Sequence, residues 1–459
     1  MNDKGIVFNQ NAKKIAFDDE HYENMMLRYD SFMHNVENRS NYYSNIELEK
    51  QRAFNIRSKA FKKLDKLLVD FDTNFTNNGG NLLWANDSDE ALKMIYDILN
   101  QNRVKRIVKT KSTTLEEIDL ISYLEMKKIK VTDTNIGDFI CGVFNEKPYN
   151  FKSSAAHKTT EQVADLYASK FGIKEGCNAR QLTAFTKNAL RNDTYQPEAL
   201  VTGANFLVSN TGTIVLTENE GNILKSSTFA PIHIIVAGID KMISSMDELG
   251  VLLPLSSLYD SNNNVSSLYS FVNKPLTNNG VVQKLYVILL NNNRTNILSK
   301  DKQRNILSCI QCGACLEVCP IYNTVGGHTY DEYNPGPVGS ISLPLLKDIE
   351  ETSHFCSLCT LCGRCSEVCP VNIPLKDLFI ENRKDLIKLD KSLVGEKNFF
   401  SVLMKKMTSR KNLDKYGSNF KDMELSYHIK KKWGSKRELP KFAKESFSEY
   451  WKNINNNNK

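Results

Sequence analysis

A chain of 459 residues, 41% of them hydrophobic and 25% charged, is too long for one small core and too apolar to stay disordered, which predicts two or three domains. Its formal charge of +7, from 60 basic and 53 acidic residues, is a thin excess, and no aromatic-rich basic stripe of the kind that stacks bases interrupts it, so no nucleic acid partner is expected. No apolar run approaches the roughly eighteen residues a spanning helix needs; stretches such as Pro231 to Gly238 and Val251 to Leu255 have core length, so no membrane span is expected. The opening MNDKGIVFNQNAKKIAFDDEHYENMM lacks an apolar signal core and carries acids too early for a transit peptide, which points to the cytoplasm.

Residues 1–75 read as a helical arm, with Met25, Leu27, Phe32 and Met33, then Phe61, Leu64, Leu67 and Leu68, at three- and four-residue steps. From residue 76 the pattern changes. TNNGGN breaks the helix, LLWA is a short strand, and Asp87 to Asp89 offer caps to the helix DEALKMIYDILN. RIVKTK reads as a strand, STTLEEIDLISYLEM as one helix with Glu116 and Glu117 in its first turn, and IKVTDT as the next strand. This alternation predicts a mostly parallel sheet wrapped by helices over residues 76–298. Further on, FLVSNTGTIVLTENEGN gives two strands around a Thr-Gly turn, and HIIVAGI and KLYVILLNN give buried strands. DSNNNVSS at 260–267 and NNNR at 291–294 read as surface loops. A boundary near Ser299 opens a region 299–390, and 391–459 is a basic carboxy-terminal segment whose closing INNNNK reads as disordered. Within that segment KKKWGSKRELPKFAKESF reads as a solvated tail anchored by Trp433, Leu439 and Phe442, or as a docking strip for an acidic partner subunit or for the chain's own cysteine-bearing region.

Eleven cysteines are present, and nine of them lie between Cys309 and Cys369, with Cys141 and Cys177 outside; such clustering reads as metal ligands rather than a disulfide framework. CIQCGACLEVCP and CTLCGRCSEVCP are two copies of the C-x2-C-x2-C-x3-C-P run. In that run three thiolates hold one [4Fe–4S] cluster, and the fourth, turned by proline, reaches the neighbouring cluster. The ligand sets are therefore crossed: Cys309, Cys312, Cys315 and Cys369 for one cluster, and Cys359, Cys362, Cys365 and Cys319 for the other. Gly313 and Gly363 leave room for backbone amides to approach the sulfurs. Zinc competes as a reading, but it prefers two C-x2-C pairs across a longer loop, and each run overfills such a site. Cys356 extends the second run backwards, which leaves the first ligand open between Cys356 and Cys359; the match to the first run favours Cys359. Between the runs, GGHTYDEYNPGPVGS reads as an ordered loop rather than a helix, and His328 within it reads as a surface histidine or a hydrogen-bond donor to a cluster sulfur.

GANFLVSNTGTIVLTENEGN, then FAPIHIIVAGIDK, then the two cysteine runs with CPIYNTVGGHTYDEYNPGPVGS between them, closely resemble the lactate utilization protein B family, the iron–sulfur subunits of a bacterial three-component lactate-utilization system. KTKSTTLEEI at 109–118 and the closing WGSKRELPKFAKESF also match, so the resemblance covers roughly residues 60–445. It implies an α/β LUD domain of CoA-transferase-like fold, followed by an all-α ferredoxin domain with two [4Fe–4S] clusters. It also implies an electron-transferring role in oxidising L-lactate to pyruvate, alongside a cysteine-rich partner subunit and a second LUD-domain subunit.

In the LUD-like region, Glu220 and Asn222 follow the strand TIVL, and Lys109, Lys111 and Ser112 follow another, the strand ends where α/β folds usually bind ligands. The simpler reading makes ENEGN a polar turn needing Gly221 and leaves the lysines solvated. His157 is a further candidate because the resembling segment carries a histidine–lysine pair, whereas His233, inside an apolar strand, reads as a core histidine. No Ser–His–Asp order, P-loop or strand-linked G-x-G-x-x-G is present. Two other functions compete with the first: an iron–sulfur subunit of another quinone- or disulfide-linked oxidoreductase, with the α/β domain as a binding module, and an acyl- or CoA-transfer enzyme with Glu220 as nucleophile.

Overall fold

The computed structural model describes residues 3–260, 268–278, 280–389, 401, 404–405, 408, 417–433 and 438–457. Contacts divide the chain into two units, residues 1–386 and 387–459. In chain order the strands are β1 (Asn81–Ala85), β2 (Arg106–Lys109), β3 (Lys130–Asp133), β4 (Ala199–Thr202), β5 (Phe206–Val208), β6 (Thr213–Glu218), β7 (Ile232–Gly238), β8 (Met242–Ile243), β9 (Leu268–Val272), β10 (Thr277–Asn278), β11 (Val281–Val282) and β12 (Lys284–Leu290). β1, β12, β7, β4, β2 and β3 pair in that order as a six-stranded sheet, and every pairing in it is parallel.

β7 shows why the apolar runs carry no polar alternation. Ile234 and Val236 join one core with Ile95, Leu99, Leu115 and Leu124 from helices on one face. Ile235 and Ala237 join another with Phe71 and Phe75 on the opposite face. A strand covered on both faces reads as a near-continuous apolar run. His233 is fully buried, its Nε2 lies 2.9 Å from Thr202 Oγ1, and burial pushes its imidazole down to about 3; it is a core histidine.

The strands around the Thr-Gly turn do pair as a hairpin, β5 with β6, but in a separate four-stranded sheet ordered β8-β5-β6-β9. Other local readings need correction. STTLEEIDLISYLEM is two helices, Thr113–Glu117 and Leu120–Met126, broken where Asp119 adopts a left-handed φ of 52°. NNNR is no surface loop: Asn292 and Asn293 turn the chain through positive φ and bury Arg294 against Glu117 and Asp240. PVGS lies in the helix Gly336–Leu346, because a proline in the first turn forgoes only an N–H that the helix leaves unpaired. The loop read at 260–267 lies, after Asp260, outside the described residues.

The amino-terminal arm forms α1 (Asp3–Ile15), α2 (Asp19–Ser40), α3 (Ile46–Lys62) and α4 (Leu64–Asn77). On α2 the buried stripe is Met25, Phe32 and Val36, whereas Leu27 and Met33 face outward. Phe8, Met25, Phe32 and Ala53 share one core with Leu252, Ile306, Leu316, Tyr322 and Phe355, so the arm is built into the cysteine-bearing region rather than appended to it. In the second unit the helix Phe447–Asn457 runs into the asparagine tract read as disordered, with Ser446 and Glu449 capping each other across its first turn; residues 458–459 lie outside the described residues.

Ile235→Ala removes a fully buried side chain from the centre of β7, and a loss of about 2–5 kcal/mol is expected in urea unfolding followed by circular dichroism. An unchanged midpoint would mean that the sheet is not packed on both faces.

Candidate functional site

The two cysteine runs fold as near-copies. Gln311 and Leu361 take φ of 57° and 59°, and their backbone N–H groups donate to Cys309 Sγ and Cys359 Sγ, each at 3.3 Å. Gly313 and Gly363 follow at φ of 86° and 87°, a conformation that an ordinary side chain resists. At the far end of each run Cys319 Sγ accepts from Tyr322 N–H at 3.5 Å and Cys369 Sγ from Ile373 N–H at 3.4 Å.

This repeat gathers the thiols into two cavities. Cys309, Cys312, Cys315 and Cys369 line an inner cavity with Phe151 and Val338; Cys319, Cys359, Cys362 and Cys365 line an outer one with Tyr330 and Phe379. The outer cavity reaches the surface, since Cys362 is exposed, whereas Cys312, Cys315 and Cys369 are buried. Burial, and secondarily the neighbouring sulfurs, push the thiols up: Cys365 to about 12, and Cys315 well above its ordinary value. Burial likewise pushes Cys319 to about 11 and Cys369 to about 12, against backbone N–H donors that pull each down. Such sets are unfavourable as uncompensated thiolates and suit a cationic metal centre, which stabilises the thiolates outright, while the amide donors aimed at the sulfurs suit an iron–sulfur cluster. Cys356 lines neither cavity; it is fully buried, and its carbonyl accepts from Arg383 Nε at 2.7 Å.

Beside the inner cavity opens a polar cleft of about 510 Å³, lined by Ser112, Lys111, Lys187, Glu220 and Asn222 from the α/β region and by Gln311 from the first cysteine run. Phe151 lines both the cleft and the inner cavity, so it and the Cys309–Cys312 turn form the wall between them. Lys111 pairs with Asp138 at 3.2 Å and also meets Ser154. Asn222 Nδ2 donates to Thr134 Oγ1 at 3.0 Å. Glu220 accepts from Asn135 Nδ2 at 2.9 Å and Ile136 N–H at 3.0 Å, and burial pushes its carboxyl up to about 7 against the Ile136 hydrogen bond, with Asp138 and Asp133 adding to the rise.

The structure therefore brings Glu220, Asn222, Lys111 and Ser112 together and leaves two sequence candidates outside the cleft. Lys109 is 1% exposed and pairs with Asp133 and, at 3.0 Å, with Glu116; its place at the end of a doubly covered strand points it into the protein. His157 lies with Glu146, 2.6 Å away, stacks on Tyr149 at 4.8 Å and meets His328 edge-on at 4.6 Å. His328 is exposed, with Nε2 2.8 Å from the carbonyl of Lys147. Phe151, Lys187 and Gln311 were not legible as site residues. Gln311 left one trace, a polar residue where the second run has Leu361.

A carboxyl raised from 4.5 to about 7 binds a proton in the folded state that the unfolded chain has already released, so its contribution to stability is present below about 4.5 and is lost as pH rises through about 7. Glu220→Gln removes that loss, and its stability relative to the unsubstituted protein should grow across this window in urea titrations. Parallel profiles would show that Glu220 titrates normally.

Residues 68–283 match the LUD domain family and residues 305–373 the 4Fe-4S dicluster domain family, placing the cleft's α/β residues in the first and the eight cysteines of both cavities in the second. Lactate utilization protein B of Bacillus cytotoxicus is 30% identical over 416 residues, covering 86% of each chain, and lactate utilization protein B 2 of Bacillus mycoides is 31% identical over 417 residues, covering 87% of this chain and 86% of its own. A solved structure, a DUF162 family protein from Deinococcus radiodurans, covers 50% of this chain and 98% of its own at 13% identity and a TM-score of 0.29, too low for any argument here. Identity sustained across both domains, together with the shared order of α/β region and iron–sulfur region, means that the chain belongs to the lactate utilization protein B family.

Proposed function

We propose that this protein is the electron-transferring iron–sulfur subunit of a multi-subunit system that oxidises L-lactate to pyruvate. The observation that carries the reading is the pair of four-thiol cavities, each completed by one cysteine from the other run. In this reading Cys309, Cys312, Cys315 and Cys369 hold one [4Fe–4S] cluster and Cys319, Cys359, Cys362 and Cys365 the other. Clusters so held would take up and release one electron each.

The chain's own residues give this relay two different ends. At the inner end Phe151 and Gln311 separate the thiols from the cleft and keep bulk water away from them, while Gln311 N–H steadies Cys309 Sγ. At the outer end Cys362 lies at the surface, where a redox partner can approach. The names of the relatives supply the lactate half of the reading, and the partners we assign are a cysteine-rich subunit and a second LUD-domain subunit.

Anaerobic purification should give about eight irons per chain. Electron paramagnetic resonance should then show reduced clusters when L-lactate and both partner subunits are added, and none with lactate alone. Reduction by dithionite only, with the partners present, would contradict the proposal.

A further inference from the structure

Arg57 occupies the buried stripe of α3, at helical spacing from Ala53 and Ala60, and is 1% exposed. Among the described residues its hydrogen bonds all go to backbone carbonyls, those of Asp240, of Met242 at 3.2 Å and of Leu307 at 3.0 Å, and its Nε meets no acceptor. Asp240, first among the carboxylates acting on it, is already held by Arg294 at 2.5 Å and by Lys241 at 3.8 Å. Lys241 is itself 4% exposed. A buried guanidinium that bonds no carboxylate is costly unless another negative charge lies close.

The candidate charge is the Cys309 sulfur. Leu307, whose carbonyl Arg57 holds, precedes it by two residues, and buried Lys241 lies between Asp240 and Met242, whose carbonyls the same guanidinium holds. Two other lysines of low exposure in this region are held by carboxylates, Lys152 by Asp260 at 2.5 Å and Lys50 by Glu47 at 2.8 Å. The outer set has a different arrangement, in which half-buried Arg383 donates to the carbonyls of Cys356 and Cys359 at 2.7 and 2.8 Å.

We infer that Arg57 and Lys241 are the buried counter-charge of the cluster held by Cys309, Cys312, Cys315 and Cys369, and that they set its reduction potential without setting that of the other cluster. This rests on the two-cluster reading above. A four-thiolate cluster carries a net negative charge that grows by one when it accepts an electron, with no bond made or broken. A fixed positive charge in a dry, low-dielectric setting favours the more negative, reduced form. Burial alone acts the other way, so removing either cation should leave the inner cluster harder to reduce.

The test is a potentiometric titration of the full chain followed by electron paramagnetic resonance, with Cys362→Ser identifying the outer signal. Lys241→Met and Arg57→Gln should each lower the inner midpoint and leave the outer one in place. Arg57→Lys, which keeps the charge but not the forked hydrogen bonds, should restore most of the inner midpoint. Arg383→Gln should move only the outer midpoint. Should Arg57→Gln fail to fold, Lys241→Met decides, because Lys241 bonds none of the carbonyls that Arg57 ties together. The inference is overturned if Lys241→Met keeps its full iron content and its inner midpoint does not move, or if both midpoints move together. An unsubstituted protein with half the iron and a single signal would instead remove the two-cluster reading itself.

Discussion

Neither thiol cavity can close by itself. Each takes three sulfurs from its own run and a fourth from the other, so residues 309–319 and 359–369 have to be brought side by side before either set is complete. The chain between them does the bringing. Its helix Gly336–Leu346 is buried along its length to Leu345, with Ile341 and Leu343 fully enclosed in the same core as the arm's Phe8, Met25 and Phe32. The arm and the inter-run helix thus serve one requirement, holding eight thiols at fixed positions with Cys362 alone of them at the surface.

That requirement reaches into the α/β region through buried charge. Arg294, just beyond β12, grips Glu117 with two nitrogens at 2.8 Å and Asp240 at 2.5 Å, while the neighbouring Asn293 donates to the carbonyl of Leu345 on the inter-run helix at 2.6 Å. Arg57 ties α3 to β8 and to the turn before Cys309. Buried ion pairs of this kind contribute little net stability, yet breaking one side leaves a desolvated charge, so they fix geometry more than they deepen the fold. The outcome is a cleft whose wall is shared with the inner thiol cavity at Phe151.

Much of this was legible in the sequence. The spacing of the cysteines is enough to pair the sets that line each cavity, because the run's chemistry is local and repeated. A mostly parallel sheet was legible from alternation, and the burial of His233 from its apolar neighbours. What escaped depends on tertiary partners. Periodicity gave α2 an apolar face but not which face was covered, so Leu27 and Met33 were grouped with Met25 and Phe32. Lys109 and Lys111 read alike as strand-end lysines, and only the sheet's helical cover sends one inward and the other to the cleft. NNNR read as a loop by composition, although asparagine's tolerance of positive φ suits a tight turn that buries the following arginine. Arg57 is not legible either, because the buried stripe of α3 also carries Lys50 and so gives no apolar face against which a charge would stand out.

The crossed arrangement is the claim on which the rest turns, and Cys319 tests it most directly, because it belongs to the first run in sequence and to the second run's cavity in space. Mössbauer and paramagnetic resonance spectra of anaerobically prepared Cys319→Ser should alter the same cluster signal that Cys362→Ser alters and leave intact the one that Cys309→Ser alters. A Cys319→Ser protein perturbed instead in the Cys309 signal would mean that each run holds its own cluster and that the crossing is not there.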